Sequence, residues 1–382
     1  MKKSVTMLLV FIIALSPIGQ AFAAIPGYAG PTKPIKVFVH SKEVKLALPI
    51  LTDVKAGRTL YPFRELLEYI GAEVSYETDA RTAVAVLDGT TVKFPLDSTT
   101  YYVQDEAKKM DTKAMLDASA GKTYIPIRYA VEALGFDVMY IQCRDHDQIR
   151  ISKLGDYAPI SDEEFLEKYY QFDYTSVSYY KLDGANKRLI FNDDWATPPY
   201  KDLVPETKLN PDINRQLYEL TKVLTSDRDY TYLQYASEFS NLPSSILFKY
   251  AFSQENALVD FNYFDFVFFE NKPFDAKKGW NTSKFSDSAF LQFNLGKLWD
   301  KFNGSWSDQY YEKKLRDSMI ALFGKNNGVD IYKYLFEYYI KVKNAPDDVY
   351  SKARESKTFG NIKVDFCMDN SALLMFYFSY VR

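Results

Sequence analysis

The sequence predicts an α+β protein: two tandem repeats, each a small antiparallel sheet with one short helix, then an aromatic-rich α+β domain. Three observations predict it. The stretch "GRTLYPFRELLEYIGAEVSY" (57–76) returns as "GKTYIPIRYAVEALGFDVMY" (121–140), 64 residues later. In each copy, strand-like alternation flanks one short helical run. From Asp156 onward the chain holds 48 Phe, Tyr and Trp, against 15 before it.

Residues 1–23 read as a signal peptide. Lys2 and Lys3 give a positive start, Met7–Ile18 is mostly apolar, and Ala21-Phe22-Ala23 is an A-x-A cleavage site. The apolar core is short for a membrane span. The mature chain is expected to be exported, secreted or held at the cell envelope, with no membrane span after cleavage. Residues 24–34 read as a linker. A net charge of −3 offers no basic excess for a nucleic-acid partner. The two cysteines, Cys143 and Cys367, allow one disulfide in an oxidising compartment, with unpaired buried thiols the preferred reading.

The repeats span about 35–98 and 99–153. Gly57 and Gly121 supply a turn before a short strand. Pro62 and Pro126 are placed at the first helical position, where a missing N–H costs nothing. The helices are expected to reach Ile70 and Leu134. Gly71 and Gly135 then stop them in the left-handed conformation that Gly adopts most cheaply. Strands follow: "AEVSY" and "TAVAVL" in the first copy, "FDVMY" and "QIRIS" in the second. Upstream, "KVFVHSKEVKL" and "TYYVQDEAKKM" read as hairpins, and Asp88-Gly89 as a turn into "TTVKFPL". Arg64/Glu68 and Arg128/Glu132 are i,i+4 pairs on the helix. They read either as a ligand-binding Arg used twice or as a surface ion pair with the Arg bonded to strand carbonyls. The second reading is preferred, because a stacking unit reuses whatever fixes its register.

Both copies resemble the GRTLVPLR…E.LGA.V.W signature of the copper amine oxidase N-terminal-like domain, over about residues 35–153. Where that family has an Asn-Gly hairpin turn, this chain has His40-Ser41 and Gln104-Asp105. Where it has Trp, this chain has Tyr76 and Tyr140. The resemblance implies an antiparallel sheet curled against a short helix. It also implies a stalk role without chemistry of its own, in exported proteins of Gram-positive bacteria. It does not imply copper chemistry here. An amine oxidase holds copper with three histidines, and this chain has two, His40 and His146. The Asn262-Tyr263-Phe264 stretch lacks the acid of a quinone-forming tyrosine. Cys143 and His146, with Asp145 and Asp147, are too sparse a set for a metal site. No cofactor is expected.

Gly155–Pro159 reads as a linker into a domain of 156–382. Ser161 with Glu164 is a capping box opening a helix to about Tyr170. A hairpin is expected around Asp183-Gly184. Asn210-Pro211 caps a helix with Ile213, Leu217, Leu220 and Leu224 on one face. Asp229 is read as starting a helix to about Phe239, and Ser286 as starting one through Leu295, Leu298 and Phe302. Residues 258–270 read as either a buried strand or a helix, with the strand preferred. Tyr310–Phe323 and Asp330–Lys343 read as helices, the latter with Ile331, Leu335, Tyr338 and Val342 inward. A hairpin about Asp369-Asn370 closes the chain. Together these predict helices packed on a small antiparallel sheet.

No histidine follows residue 146, so no Ser-His-Asp or Cys-His system fits within this domain. Asp193, Asp194 and Trp195 place acids beside a ring. Trp299, Trp306, Tyr310 and Tyr311 offer an aromatic platform of the kind that packs on sugar rings; as core residues they need no ligand. The preferred function is a non-catalytic envelope protein. Its stalk-like repeats present a C-terminal binding domain to wall glycan, a peptide or another exported protein. The alternative is a hydrolase of a wall polymer using two carboxylates among Asp193, Asp194, Glu238 and Glu255.

Overall fold

Three tight turns and two helix stops set the path of the repeats. The structure, a computed structural model, describes residues 25–170, 180–183, 185, 188–191, 219–220, 222–223, 230–234, 245–254, 257–270, 285–294, 309–345, 354–368 and 373–381. After β1 (Tyr28–Ala29), the first copy runs β2 (Ile35–Val39), β3 (Lys42–Val44), β4 (Leu51–Asp53), β5 (Arg58–Pro62), α1 (Phe63–Tyr69), β6 (Glu73–Glu77), β7 (Thr82–Leu87) and β8 (Thr90–Pro95). The second runs β9 (Thr100–Val103), β10 (Glu106–Lys109), β11 (Met115–Asp117), β12 (Lys122–Pro126), α2 (Ile127–Ala133), β13 (Asp137–Gln142) and β14 (Asp147–Ser152). A shift of 64 lays β2–β7 on β9–β14 and α1 on α2; β8 has no counterpart among the described residues.

The local chemistry explains the match. His40-Ser41, Asp88-Gly89 and Gln104-Asp105 all have positive φ, so each two-residue hairpin loop has the left-handed pair that suits twisted strands. Pro62 sits one residue earlier than the sequence reading placed it. It ends β5 and caps α1 with φ −60° and ψ 111°. Pro126 ends β12 in the same way. Proline's fixed φ fits the last extended residue as well as the first helical one. Past each helix the backbone closes identically. Gly71 N donates to Glu68 O and Ala72 N to Leu67 O, while Gly135 N donates to Glu132 O and Phe136 N to Val131 O. This is the Schellman closure, with glycine left-handed at φ 90° and 82°.

Two compact units form. The first holds the chain up to Pro31 and Leu48–Ile127. Its central sheet has the order β1-β4-β5-β12-β11. β5 and β12 are equivalent strands of the two copies, and their antiparallel register maps onto itself. Tyr61 faces its own counterpart Ile125, while Leu60 faces Pro126 and Pro62 faces Tyr124. The strand that would be an open edge in one repeat is thus covered by its twin. Leu60, Met115 and Tyr124 form a buried cluster, with Ile25, Tyr28 and Leu51 against it. β1, in the stretch read as a linker, pairs with β4. A second sheet has the order β10-β9-β8-β7-β6, so the hairpin of copy two completes the sheet of copy one. Phe94, fully buried, stacks on Tyr101 at 5.3 Å and meets Phe63 edge-on at 6.0 Å.

The second unit holds Thr32–Ala47 and the chain from Arg128. Here the exchange is returned: β2–β3 of copy one joins β13–β14 of copy two in the order β13-β14-β2-β3. β14 and β2 run parallel. α3 (Asp162–Tyr170) opens as predicted, with Ser161 Oγ accepting from Glu164 N at 3.1 Å. β15 (Tyr180–Asp183) and β16 (Arg188–Phe191) form the expected hairpin. Of the helix placed at 213–224, residues 219–220 and 222–223 are described; they are helical, with Leu220 and Val223 buried.

A larger sheet than expected follows. β17 (Tyr230–Gln234), β18 (Ser245–Gln254), β19 (Ala257–Glu270), β20 (Phe285–Asn294), β21 (Arg354–Phe359), β22 (Ile362–Met368) and β23 (Leu373–Val381) pair antiparallel in the order β17-β18-β19-β20-β23-β22-β21. Two helix readings are corrected: Tyr230–Gln234, after Asp229, and Phe285–Asn294, around Ser286, are strands. Register shows why. Phe366, Phe376, Leu291, Phe266, Phe248 and Leu233 fall in one cross-strand row. In β20 the apolar Ala289, Leu291 and Phe293 recur every second residue, the period of a strand, and this overrides the helical reading. α4 (Gln309–Phe323) and α5 (Lys325–Lys343) form a helical hairpin, with α5 starting five residues before the predicted Asp330. Gly324, left-handed at φ 78°, turns between them.

At Gly328 the backbone of α5 runs close against the backbone of α4. A Cβ there would lie 2.5 Å from both Ile320 Cα and Met319 O. Gly328→Ala is therefore expected to destabilise the second unit by about 1–3 kcal/mol, read as a lower urea midpoint.

Candidate functional site

The motif residues of the repeats do structural work on the surface. Arg64 Nη1 donates to Glu68 Oε1 at 2.9 Å and to Val74 O on edge strand β6 at 3.0 Å. The side chain thus ties the helix to an outward carbonyl and blunts the sheet edge. Arg128 and Glu132 repeat the pair at 3.8 Å. Both pairs are about half exposed, so each is worth about 0.3–0.5 kcal/mol. Two further repeat residues escaped notice. Asp53 Oδ1 accepts from Lys55 N and Ala56 N, and Asp117 Oδ1 from Ser119 N and Ala120 N. Each carboxylate shapes the loop leading to Gly57 or Gly121. Against burial, the Thr112 hydroxyl and then the Ala56 and Lys55 amides hold Asp53 below the usual carboxylate range; the Ser119 hydroxyl first, then the Ala120 and Ser119 amides, do the same for Asp117. Their identity at the 64-residue offset was the available signal.

A buried polar cluster lies inside the second unit, where α4 and α5 meet β14. Gln148, Arg150 and Ser152 alternate along β14 and so share one face. Arg150 is 6% exposed. Its guanidinium sits 4.9 Å from the Phe38 ring and 5.3 Å from the Phe336 ring. It donates to Gln148 Oε1 at 3.2 Å and to Ser41 Oγ at 2.9 Å. Burial lowers its pKa and the nearby Glu312 carboxylate opposes that.

Glu312, on α4, is 2% exposed. Its carboxylate accepts from Ser152 Oγ at 2.7 Å and from the Tyr332 hydroxyl on α5. Burial, then the charge of Glu312, pushes the Tyr332 phenol far up, so it stays a donor. One turn along α4, Arg316 donates to Gly155 O at 2.7 Å and Leu154 O at 3.2 Å, and pairs with Asp317 at 2.8 Å. Arg316 thus holds the stretch that aligns with β8, for which copy two has no strand. α5 reaches the other way as well. Tyr338 lies 4.3 Å from Phe366, and Tyr334 lies 5.5 Å from Phe359 and 6.4 Å from Phe376. One helix therefore packs on both the repeat sheet and the seven-stranded sheet.

Chemically, this cluster binds elements together. Arg316 is paired with Asp317, and Glu312 is bonded by two hydroxyls, in a low-dielectric interior where removing one partner strands the other. Arg150 Nε is buried there without an acceptor. Among the described residues, no group of three or more His, Cys, Asp or Glu is placed to hold a metal. Cys143 is a buried free thiol, pushed up by desolvation. His146 lies in the β13–β14 turn, where its carbonyl accepts from Cys143 N at 3.1 Å. Lys33 spans this turn, donating to Cys143 O and pairing with Asp147 at 3.0 Å. Of the residues proposed from sequence to meet a ligand, Asp193, Asp194, Trp195, Trp299 and Trp306 lie outside the described residues, as do Glu238 and Glu255. Tyr310 and Tyr311 fall in the first turn of α4, their side chains outside the description.

Glu312→Ala is expected to cost about 3–5 kcal/mol, because it leaves Ser152, Tyr332 and Arg150 without their carboxylate. The pair Arg150→Met with Glu312→Leu is expected to cost less than the two single changes added together, measured as a double-mutant cycle by chemical denaturation. Arg64→Ala should stay within about 0.5 kcal/mol. No curated protein matches the chain. No helix among the described residues is long and apolar enough to cross a membrane. The duplicated turn, the proline-headed helix and the glycine stop agree with the family comparison: residues 38–144 match, and are assigned to, the copper amine oxidase N-terminal domain.

Proposed function

We propose that this chain is an exported, non-catalytic envelope protein whose repeats hold the C-terminal seven-stranded sheet for binding a cell-wall glycan. The observation that carries the reading is the buried joint. Arg150 and Ser152 of the second repeat share one interior with Glu312 and Arg316 of α4, and α5 continues from there onto the seven-stranded sheet. A presenting role needs such a stiff connection; a flexible tether would have kept polar groups solvated and apart. The leader-like start, the aromatic content after Asp156 and the lack of histidine there support the same reading. Wall glycan suits it because aromatic rings pack on sugar faces and nearby acids bond hydroxyls.

The joint decides which protein to test. A fragment starting at residue 156 would lose Arg150 and Ser152 and leave Glu312 buried without them. The mature chain, 24–382, is therefore mixed with isolated cell wall and pelleted. It is expected to sediment with the wall, and Trp299→Ala with Trp306→Ala is expected to release it. A mature chain that stays in the supernatant contradicts the glycan reading. Release of soluble sugar fragments from the wall contradicts the non-catalytic one.

A further inference from the structure

A polar line through the second unit runs from His146 at one end to Ser41 at the other. Arg150 donates from Nη2 to Ser41 Oγ at 2.9 Å, and Ser41 shares the β2–β3 turn with His40. From Nη1 it donates to Gln148 Oε1 at 3.2 Å. Gln148 Nε2 in turn lies 3.0 Å from His146 Nε2. The orientation of the Gln148 amide follows from its neighbour. A guanidinium has only donors, so the carbonyl oxygen faces Arg150 and the NH2 group faces His146. His146 Nε2 must then accept, which requires a neutral ring with its proton on Nδ1.

We propose that His146 and Gln148 form a proton-operated latch on Arg150. A proton arriving at His146 Nε2 turns that acceptor into a donor. Two donors then face each other, so the Gln148 amide turns over to give its oxygen to His146. Its NH2 group now faces Arg150, which loses an acceptor while buried between two rings. The unmet donor loosens the contact of β14 with α4 and α5. This goes beyond the presenting role and holds whatever the seven-stranded sheet binds.

The surroundings fix the sign. His146 is faced by Lys36 on β2, Lys33 just before it, Asp145 in the turn and Asp147 at the head of β14. Burial, then Lys36, holds its pKa below the ordinary 6.5. Arg150 is faced by Glu312 from α4, Tyr332 and Tyr339 from α5, and Cys143 after β13. His40, faced by Glu312 and Lys153, is also lowered, by burial first. A histidine with a lowered folded pKa lends its full stability above 6.5 and loses it as pH falls through the folded value. The latch is therefore closed at neutral pH and opens on mild acidification. Glu132 and Asp137 are raised by burial and act in the opposite sense, nearer their ordinary 4.5 and 3.8.

The test uses the mature chain with labelled histidine rings and arginine guanidinium groups, titrated by NMR from about pH 8 to about pH 5. His146 is expected to titrate below 6.5, and the Arg150 signals are expected to shift with the same midpoint. In Gln148→Leu, which has no amide to turn, His146 still titrates and Arg150 no longer follows it. Should that variant not fold, His146→Asn serves instead, with Arg150 signals flat over the same range. Arg150 signals that ignore the His146 titration overturn the latch. So do Arg150 signals that keep following His146 in Gln148→Leu, or that still shift in His146→Asn.

Discussion

One carboxylate, taken out of water, organises the second half of this molecule. Glu312 projects from α4 into the space between the repeat sheet and α5, where Ser152 and Tyr332 donate to it and Arg150 is near enough for the two charges to interact. Desolvating a carboxylate costs several kcal/mol, and the cost is met only when all these partners are in place. Such a network adds little net stability over an apolar core. Its consequence is uniqueness: α4 cannot slide along β14 without breaking several charge-assisted bonds at once. Arg316 adds a second fixed point through the carbonyls of Leu154 and Gly155.

From that joint the rest of the second unit follows. α5 is buried on nearly every side: Ile331, Tyr332, Tyr334, Leu335, Phe336, Tyr338, Tyr339 and Ile340 are all within the core. Only a narrow polar stripe, with Asp330 and Lys333 exposed and Glu337 and Lys341 half-buried, is left to water, so the helix lies between two layers. Its layers are the repeat sheet, met through Phe336, and the seven-stranded sheet, met through Tyr334 and Tyr338. The repeats show the same economy. β5 and β12 cover each other's edges, and each hairpin completes a sheet built from the other copy. A single repeat would leave a strand edge and a sheet unfinished.

Much of the front half could be read from sequence because its signals are local. Paired left-handed turns, proline before a helix and glycine after it act within a few residues, and duplication displayed each of them twice. The exchange of hairpins was not legible, since periodicity names strands but not their partners. The back half failed in an informative way. Around Ser286 and Asp229 the residues allow helical spacing, yet cross-strand rows of aromatics decide the outcome, and those rows exist only after pairing. The helices α4 and α5 were found because α5 carries Ile331, Leu335, Tyr338 and Val342 at helical spacing. The Arg150–Glu312 joint left no trace to follow: its members lie 162 positions apart and each reads as an ordinary surface charge.

The central claim is that repeat sheet and helical hairpin open together because they share that buried charge. Native-state hydrogen exchange on residues 24–382, in low denaturant, tests it most directly. The account predicts one opening free energy for the amides of Ile149 and Ile151 on β14 and those of Leu335 and Tyr339 on α5, and the same denaturant slope. If α5 exchanges through a separate, cheaper opening while β14 stays protected, the joint does not bind them and the account is wrong.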